Sequence, residues 1–205
     1  MFESDFHRWN KAFRFISALV FALYMGTLPG AALAAPVESM VKFSGLKETL
    51  SELLPAGETL TRRDIVLSEN QLKQLARFKN WNSQEAEFIF YHSRNADDKI
   101  TRTLILFPEQ THQGTLLVAV ALDNDGKIIE ARLMEAQEPT LRWVMPLLRA
   151  NYMKTFTGQD SGMKLALDKN LRRKDLSDLS KTYALHLANA VKKSAQLFEV
   201  FFDRK

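Results

Sequence analysis

Four short apolar segments, separated by polar turns, fill the middle of the chain and predict a run of β-strands. They are rich in leucine, β-branched and aromatic residues, a composition typical of strands. These segments span residues 87–92, 101–107, 114–122 and 127–135. In the fourth segment Ile129, Ala131 and Leu133 alternate with Glu130 and Arg132. This period of two predicts a sheet with one covered face and one wet face.

Apolar residues at helical spacing predict helices on both sides of the strand region. The predicted helices lie near residues 46–54, 68–80, 140–156 and 176–202. Ser68 and Gln71 have the arrangement of a capping box, which predicts where the second helix begins. Pro146 predicts a break or kink in the third helix, because a proline removes a backbone hydrogen bond there. The order of elements predicts an α+β fold, an antiparallel sheet meander with helices packed on one face.

The beginning of the chain has the layout of a secretory signal peptide. Arg8, Lys11 and Arg14 precede an apolar run over residues 15–28, and small residues follow at positions 31–35. Cleavage after Ala34 would satisfy the Ala-x-Ala rule. The alternative is a retained membrane anchor, but the run is shorter than the roughly 20 apolar residues of a spanning helix. We therefore expect export to the periplasm. The predicted segments are a signal peptide at 1–34, an N-terminal helical extension at 35–82 and a domain at 83–205.

Composition excludes several kinds of chemistry. The chain has no cysteine, so disulfides, iron–sulfur clusters and haem attached through Cys-x-x-Cys-His are excluded. The 28 basic and 24 acidic residues give a mild excess of +4, which does not predict nucleic-acid binding. His92, His112 and His186 lack the spacing of metal ligands, so we expect no metal site. The Asp123-Asn-Asp-Gly126 stretch predicts a tight turn with positive φ, since the glutamate that closes a calcium loop is absent.

The second half of the chain carries a sequence of motifs in a particular order. Residues 121–140 read Ala-Leu-Asp-Asn-Asp-Gly-Lys-Ile-Ile-Glu-Ala-Arg-Leu-Met-Glu-Ala-Gln-Glu-Pro-Thr. Trp143 and Phe156-Thr-Gly158 come next, followed by Asp168, Asp175 and the helical stretch Ala190-Val191-Lys-Lys-Ser-Ala195. This order resembles the FMN-binding domain of periplasmic electron-transfer proteins. That family includes subunits of the Rnf and Nqr redox pumps and the periplasmic part of the nitrous-oxide-reductase accessory protein.

The resemblance implies a flavin site at the beginning of the last helix. In the family a Ser-Gly-Ala-Thr motif lies there, and a helix N-terminus suits an anionic phosphate. Here the corresponding stretch reads Asp178-Leu-Ser-Lys-Thr-Tyr183, without the glycine. In many family members the threonine of this motif is joined to the FMN phosphate as an ester. In this chain Lys181 takes the place of that threonine on an ungapped count, and Thr182 takes it after a one-residue deletion. The implied FMN contacts are Ser180, Lys181, Thr182, Glu138, Thr140 and Trp143.

Two functions follow as hypotheses. The first is an exported FMN-binding-domain-like protein for electron transfer in the cell envelope, with an envelope redox protein or a membrane electron-transfer complex as its partner. FMN would then be bound without a covalent bond or, less in keeping with the altered motif, through Thr182. The second is a flavin-free binding or sensing module of the same fold that recruits an envelope partner. An electron carrier or accessory protein is favoured over a substrate-transforming enzyme, because no hydrolase or nucleotide-binding motif is present. An exported enzyme of unknown type is a distant third alternative.

Overall fold

A six-stranded antiparallel sheet is the centre of the protein. The computed structural model describes residues 39–81, 87–167, 171 and 176–202, and the predicted signal peptide lies outside them. The strands are β1 (Met40–Lys42), β2 (Thr59–Val66), β3 (Glu87–Arg94), β4 (Ile100–Thr111), β5 (Gly114–Asp123) and β6 (Ile128–Gln137). Their order across the sheet is β1-β6-β5-β4-β3-β2. Strands β2 to β6 form a meander of neighbours, and β1 pairs with β6 at the far edge.

The four predicted strands are confirmed as β3 to β6, but two further strands were not predicted. Both lie in the segment that the sequence assigns to a helical extension, so residues 39–81 supply two strands of the common sheet. Strand β1 is only three residues long. In β2 only Ile65 is buried, because this strand lies at an edge of the sheet. A strand with so few covered side chains carries little of the apolar alternation on which sequence prediction depends.

The described residues form four α-helices and two short 3₁₀ helices. The α-helices are α1 (Leu46–Leu53), α2 (Glu69–Leu75), α3 (Leu141–Arg149) and α4 (Asp178–Phe201). The 3₁₀ helices are Glu138–Thr140 and Tyr152–Phe156. The predicted capping box is confirmed, since Ser68 Oγ accepts a hydrogen bond from the Gln71 amide at 3.3 Å and Gln71 Oε1 accepts one from the Ser68 amide at 3.0 Å.

The predicted break in the third helix occurs later than Pro146. Helix α3 continues through Pro146 and ends at Arg149. The chain then turns at Asn151, whose φ of 57° lies in the left-handed region, and resumes as the second 3₁₀ helix. Pro146 cannot donate the backbone bond that position 146 would make to the Arg142 carbonyl, and the helix ends three residues later.

The α+β fold is confirmed, with one correction to the placement of the helices. Helices α2, α3 and α4 contribute to the larger core on one face of the sheet, where Phe90, Phe107 and Leu116 are fully buried. Helix α1 packs on the opposite face, where its Leu53 and the following Leu54 join a second, smaller core. The helices therefore lie on both faces, because the second face is also apolar and needs a cover.

The turn between β5 and β6 has the predicted geometry. Gly126 has a φ of 77°, a conformation that glycine adopts without strain. The Asp123 carboxylate accepts hydrogen bonds from the amides of Asp125 at 2.8 Å and Lys127 at 2.9 Å. Asp123 therefore stabilises the turn. Across the part of the chain that the structure describes, no helix combines the length and the apolar character that a membrane crossing requires.

Candidate functional site

The beginning of α4 is where the sequence resemblance implies the flavin phosphate, and Ser180, Lys181 and Thr182 do lie in its first turns. The helix is capped by Ser177, whose Oγ accepts a hydrogen bond from the Ser180 amide at 3.1 Å. The Ser180 hydroxyl lies 3.0 Å from the same Ser177 oxygen and is buried. The serine that the motif offers to a ligand is thus part of the helix cap.

Lys181 and Thr182 are also bonded within the helix. Lys181 Nζ lies 3.0 Å from a carboxylate oxygen of Asp178. The Thr182 hydroxyl donates to the Asp178 carbonyl at 3.0 Å. Asp178 places a negative charge in the first turn, where it interacts favourably with the helix dipole. The fit to a phosphate is therefore partial: a helix N-terminus and an ammonium group are present, but a carboxylate already occupies both.

Glu138 and Thr140 lie in the first 3₁₀ helix, which follows β6. The Glu138 carboxylate accepts a hydrogen bond from the Ser39 hydroxyl, and the Glu138 amide donates to the Ser39 carbonyl at 2.9 Å. Thr140 is fully buried and donates its hydroxyl to the Gln137 carbonyl at 2.7 Å. Glu138 thus ties the end of β6 to the segment before β1, and Thr140 stabilises the turn that follows β6. The polar groups of Glu138 and Thr140 therefore form hydrogen bonds within the protein.

Trp143 is the residue that connects α3 to the beginning of α4. Its ring stacks on Tyr183 with centroids 5.3 Å apart and an interplanar angle of 18°. The Arg142 guanidinium also lies over the Trp143 ring, 4.2 Å from its centroid. The predicted stacking surface for a flavin is thus used by two side chains of the protein. Trp143 lies next to the Ser180–Thr182 turn, as the FMN hypothesis requires. Its ring, however, is already in contact with Tyr183 and Arg142.

A row of polar side chains along α4, not singled out from the sequence, lies over the end of β4. We call it the polar row; it consists of Glu109 on β4 and of His186, Asn189, Lys193 and Gln196 on α4. Glu109 and Lys193 are each only 4% exposed, and Gln196 is 1% exposed. The helical members recur at three- and four-residue spacing, which places them on one side of the helix. Polar residues at this spacing, on a side of the helix that is otherwise apolar, are the feature of the sequence from which the polar row could have been predicted.

The Glu109 carboxylate is the centre of the polar row. It accepts a hydrogen bond from Asn189 Nδ2 at 2.9 Å, and its oxygens lie 3.4 Å from Lys193 Nζ and 3.5 Å from His186 Nδ1. Lys193 Nζ additionally lies 5.5 Å from the centroid of the Phe107 ring. Because the charged groups satisfy one another, the cluster fixes the position of α4 on the sheet.

The polar row continues through Gln196 to the end of the α2 region. Gln196 Oε1 accepts hydrogen bonds from Trp81 Nε1 at 3.0 Å and Asn80 Nδ2 at 3.1 Å. Asn80 Nδ2 also lies 3.1 Å from Asn189 Oδ1. Thus α4 is tied by side-chain hydrogen bonds both to β4 and to the segment that precedes β3.

His92 is a second buried titratable residue on this face. Its Nδ1 lies 3.0 Å from the Thr103 hydroxyl, its ring is fully buried beside Phe90 and Phe202, and its Nε2 has no hydrogen-bond partner within the described ranges. Burial lowers the pKa of His92 to about 4, and the nearby charges of Arg63 and Arg94 act in the same direction. His92 is therefore neutral at physiological pH.

The opposite face carries an apolar groove between α1 and the β2 edge of the sheet. Its volume is about 590 Å³. The lining is mostly aliphatic, and its two charged residues among those described are Lys47 and Glu58. The apolar lining residues are Leu46, Leu50, Leu54, Pro55, Ala56 and Leu60. Of these, Leu46 is 40% exposed and Leu60 is 47% exposed, so the groove is open to solvent.

Searches for similar proteins gave no match: no protein-family model, no curated protein and no solved structure matches this chain. The resemblance to the FMN-binding domain therefore stays a prediction from the quoted motifs. Within the described residues, no group of three or more histidine, aspartate or glutamate side chains is arranged to hold a metal ion.

Proposed function

We propose that the protein is an exported binding module of the cell envelope that recruits a partner protein and works without a flavin. The observation that carries this proposal is the engagement of the six expected FMN contacts within the protein itself. Ser180, Lys181 and Thr182 bond to Ser177 and Asp178. The other three contacts are engaged in the same way, as described above for Glu138, Thr140 and Trp143.

Electrostatics at the beginning of α4 supports the same proposal. A phosphate bound there would lie close to the Asp178 carboxylate, and two negative groups at one helix end repel each other. To bind the phosphate, Lys181 would also have to leave Asp178. The family glycine, which lets the backbone approach a phosphate closely, is absent from this turn.

The apolar groove between α1 and β2 is the surface that we assign to the partner. We propose that it takes an apolar segment of an envelope protein, because its wall is aliphatic and Leu46 and Leu60 are exposed at its border. Removal of apolar surface from water is the dominant favourable contribution in most protein–protein association. Lys47 and Glu58 lie at the same groove and can satisfy polar groups that flank the segment.

The first experiment tests for the cofactor. The protein is purified from the periplasm, its absorbance is recorded, and its intact mass is measured. We expect a colourless protein with the mass of the chain after cleavage at Ala34, and no uptake of added FMN. Bound flavin, whether covalent or released on denaturation, would overturn the flavin-free proposal.

The second experiment tests the groove. A photo-reactive amino acid is placed at Leu46 in the groove or, as a matched control, at Leu179, which is 50% exposed at the beginning of α4. We expect an adduct with an envelope protein from position 46 and none from position 179. An adduct from position 179 alone, or no adduct with an envelope protein from position 46, would contradict the assignment of the groove.

Electron transfer through FMN is the second candidate function. It is favoured by the position of Ser180, Lys181 and Thr182, which lie at the beginning of a 24-residue helix as the resemblance requires. Lys181 and the first amides of α4 would hold the phosphate, and the flavin ring would supply the redox chemistry when bound. In that case FMN uptake should be lost in Lys181→Glu and retained in the control Lys154→Glu.

A further inference from the structure

The two edges of the sheet differ in length. At one edge, β1 pairs with β6 over only three residues. At the other edge, β2 pairs with β3 over eight residues, Thr59 to Val66, without a bulge. Among the described residues no strand pairs with the outer side of β2. A long, regular edge without proline presents free backbone donors and acceptors and is a template for another strand.

The side chains of β2 on the α1 face form a pattern that is complementary to itself. Leu60, Arg62, Asp64 and Val66 alternate along the strand and share this face. Leu60 is 47% exposed and Val66 is 73% exposed, so an apolar side chain stands near each end. Between them, Arg62 and Asp64 form an ion pair at 2.7 Å. When a second copy of this strand runs antiparallel to the first, apolar residues can therefore face apolar residues, and the arginine can face the aspartate.

We propose that two copies of this protein associate through β2, as an antiparallel pair with Arg63 on the twofold axis. In this register Leu60 lies opposite Val66 of the second copy, and Arg62 lies opposite Asp64 of the second copy. The two Arg62–Asp64 pairs then form a square in which every neighbouring charge has the opposite sign. The six-stranded sheets join into one continuous sheet of twelve strands.

Other registers are less favourable. A twofold axis at Arg62 sets this arginine against its own copy, and an axis at Asp64 does the same for the carboxylates. An axis at Thr61 sets Leu60 against Arg62. Like charges directly opposite each other in a sheet are destabilising, whereas opposite charges and apolar pairs are stabilising.

The residue on the axis itself is drawn away from its copy. Arg63 points to the α4 face, where its guanidinium lies 5.6 Å from the centroid of the Phe201 ring. This cation–π contact holds the charge over the protein's own surface. The proposal therefore requires each of the two Arg63 guanidinium groups to stay over its own Phe201 ring, away from the other copy.

The association is tested by sedimentation of the purified exported protein over a range of concentrations. We expect a reversible dimer whose dissociation constant rises about tenfold or more in Asp64→Arg, because two attractive pairs become repulsive. The control Asp97→Arg makes the same change of charge in an exposed turn and should leave the dimer intact. The double variant Arg62→Asp/Asp64→Arg restores the alternation and should dimerise with itself but not with the natural chain.

The register is tested with cysteines, since the chain has none of its own. Arg63→Cys should give a disulfide-linked dimer under mild oxidation, because position 63 meets its own copy at the axis. Thr61→Cys is the matched control: it lies on the same face but opposite residue 65 of the second copy, and should stay monomeric on a denaturing gel. A protein that sediments as a monomer, a dimer indifferent to Asp64→Arg, or equal cross-linking of both cysteine variants would overturn the proposal.

Discussion

The two faces of the sheet are covered in different ways. On one face, α2, α3 and α4 enclose a large core that includes stacked Phe88 and Phe107 rings, 5.4 Å apart. On the other face, the eight-residue helix α1 covers a smaller core around Leu104 and Met134 and leaves a groove beside it. The larger core is the main source of stability, since the free energy of burial increases with the apolar area removed from water. The thinly covered face keeps an apolar groove that is open to solvent.

Charged groups are also distributed differently over the two faces. The α4 face buries the Glu109–Lys193 pair. On the α1 face, Arg132 pairs with Glu52 and Glu130 at a partly exposed position. Burial alone would lower the pKa of Arg132, but hydrogen bonds to both carboxylates outweigh it and raise the pKa. Because exposed pairs contribute little and buried pairs are costly to break, the two faces should respond differently to loss of a carboxylate.

The largest effect is expected from Glu109→Gln. The amide can still accept the hydrogen bond from Asn189, but the buried Lys193 ammonium would lose the Glu109 carboxylate that lies 3.4 Å from it. Breaking a buried pair from one side costs about 3 to 5 kcal/mol of unfolding free energy. Urea unfolding measures this loss. On the opposite face, Glu52→Gln should cost less than about 1 kcal/mol, since its pair with Arg132 is half exposed.

A second variant separates the charge from the packing. In Glu109→Gln/Lys193→Met both charges are removed, and we expect the double variant to recover most of the stability that Glu109→Gln loses. If the double variant were as unstable as the single one, the loss would come from packing at β4 and the ion pair would not explain it.

The next effect compares matched leucines on the two faces. Leu116 on β5 belongs to the α4 face and Leu104 on β4 belongs to the α1 face, and both are 0% exposed. We expect Leu116→Ala to cost about 4 kcal/mol and Leu104→Ala about 2.5 kcal/mol. The difference arises because α1 can settle into the space, whereas the larger core is enclosed by several elements. Equal losses in thermal and urea unfolding would contradict this view of the two faces.

The same contrast explains which features could be predicted from the sequence. Strands β3 to β6 were predicted because their apolar side chains alternate or run continuously, and α4 because Leu187, Val191 and Phe198 repeat at helical spacing. The position of Ser180 to Thr182 at the beginning of α4 was also predicted. These features depend on local periodicity, which one segment of sequence contains by itself.

What could not be predicted depends on pairs of residues far apart in the chain. Glu109 and Lys193 are 84 positions apart, and neither position indicates the other. The placement of α1 on the second face, the edge strand β2 and the stacking of Trp143 on Tyr183 depend in the same way on the assembled sheet. Short amphipathic elements fit either face equally well by their own pattern.

A third prediction uses pH to probe the α4 face. The pKa of His92 is lowered to about 4 in the folded protein, from an ordinary value of 6.5. Between these values the unfolded chain binds a proton that the folded protein does not, so the unfolding free energy falls as pH decreases from 6.5 to 4. The full loss amounts to about 3 kcal/mol below pH 4. Above pH 6.5 this contribution does not change.

The measurement is urea unfolding at several pH values. His92→Gln should remove the pH dependence in this window while the amide keeps a hydrogen bond to Thr103. The control His112→Gln lies at an exposed turn and should retain the natural dependence. If the unfolding free energy of His92→Gln depended on pH as strongly as that of the natural protein, other groups would be responsible for the pH dependence.

The smallest effect should be a gain on the thinly covered face. Helix α1 begins after Gly45, which has no side chain to accept a hydrogen bond, while Glu48 already reaches back to the Gly45 amide at 3.4 Å. Gly45 has a φ of −77°, and an added Cβ would meet nothing within 4 Å. Gly45→Ser should therefore complete a capping box and raise the unfolding free energy by about 0.5 kcal/mol. A comparison is provided by the cap of α4. There Ser177→Ala removes the oxygen that accepts a hydrogen bond from the Ser180 amide, and it should lower the unfolding free energy by about 1 kcal/mol. A loss of stability in Gly45→Ser would indicate that α1 needs a glycine at its beginning to adjust on the sheet.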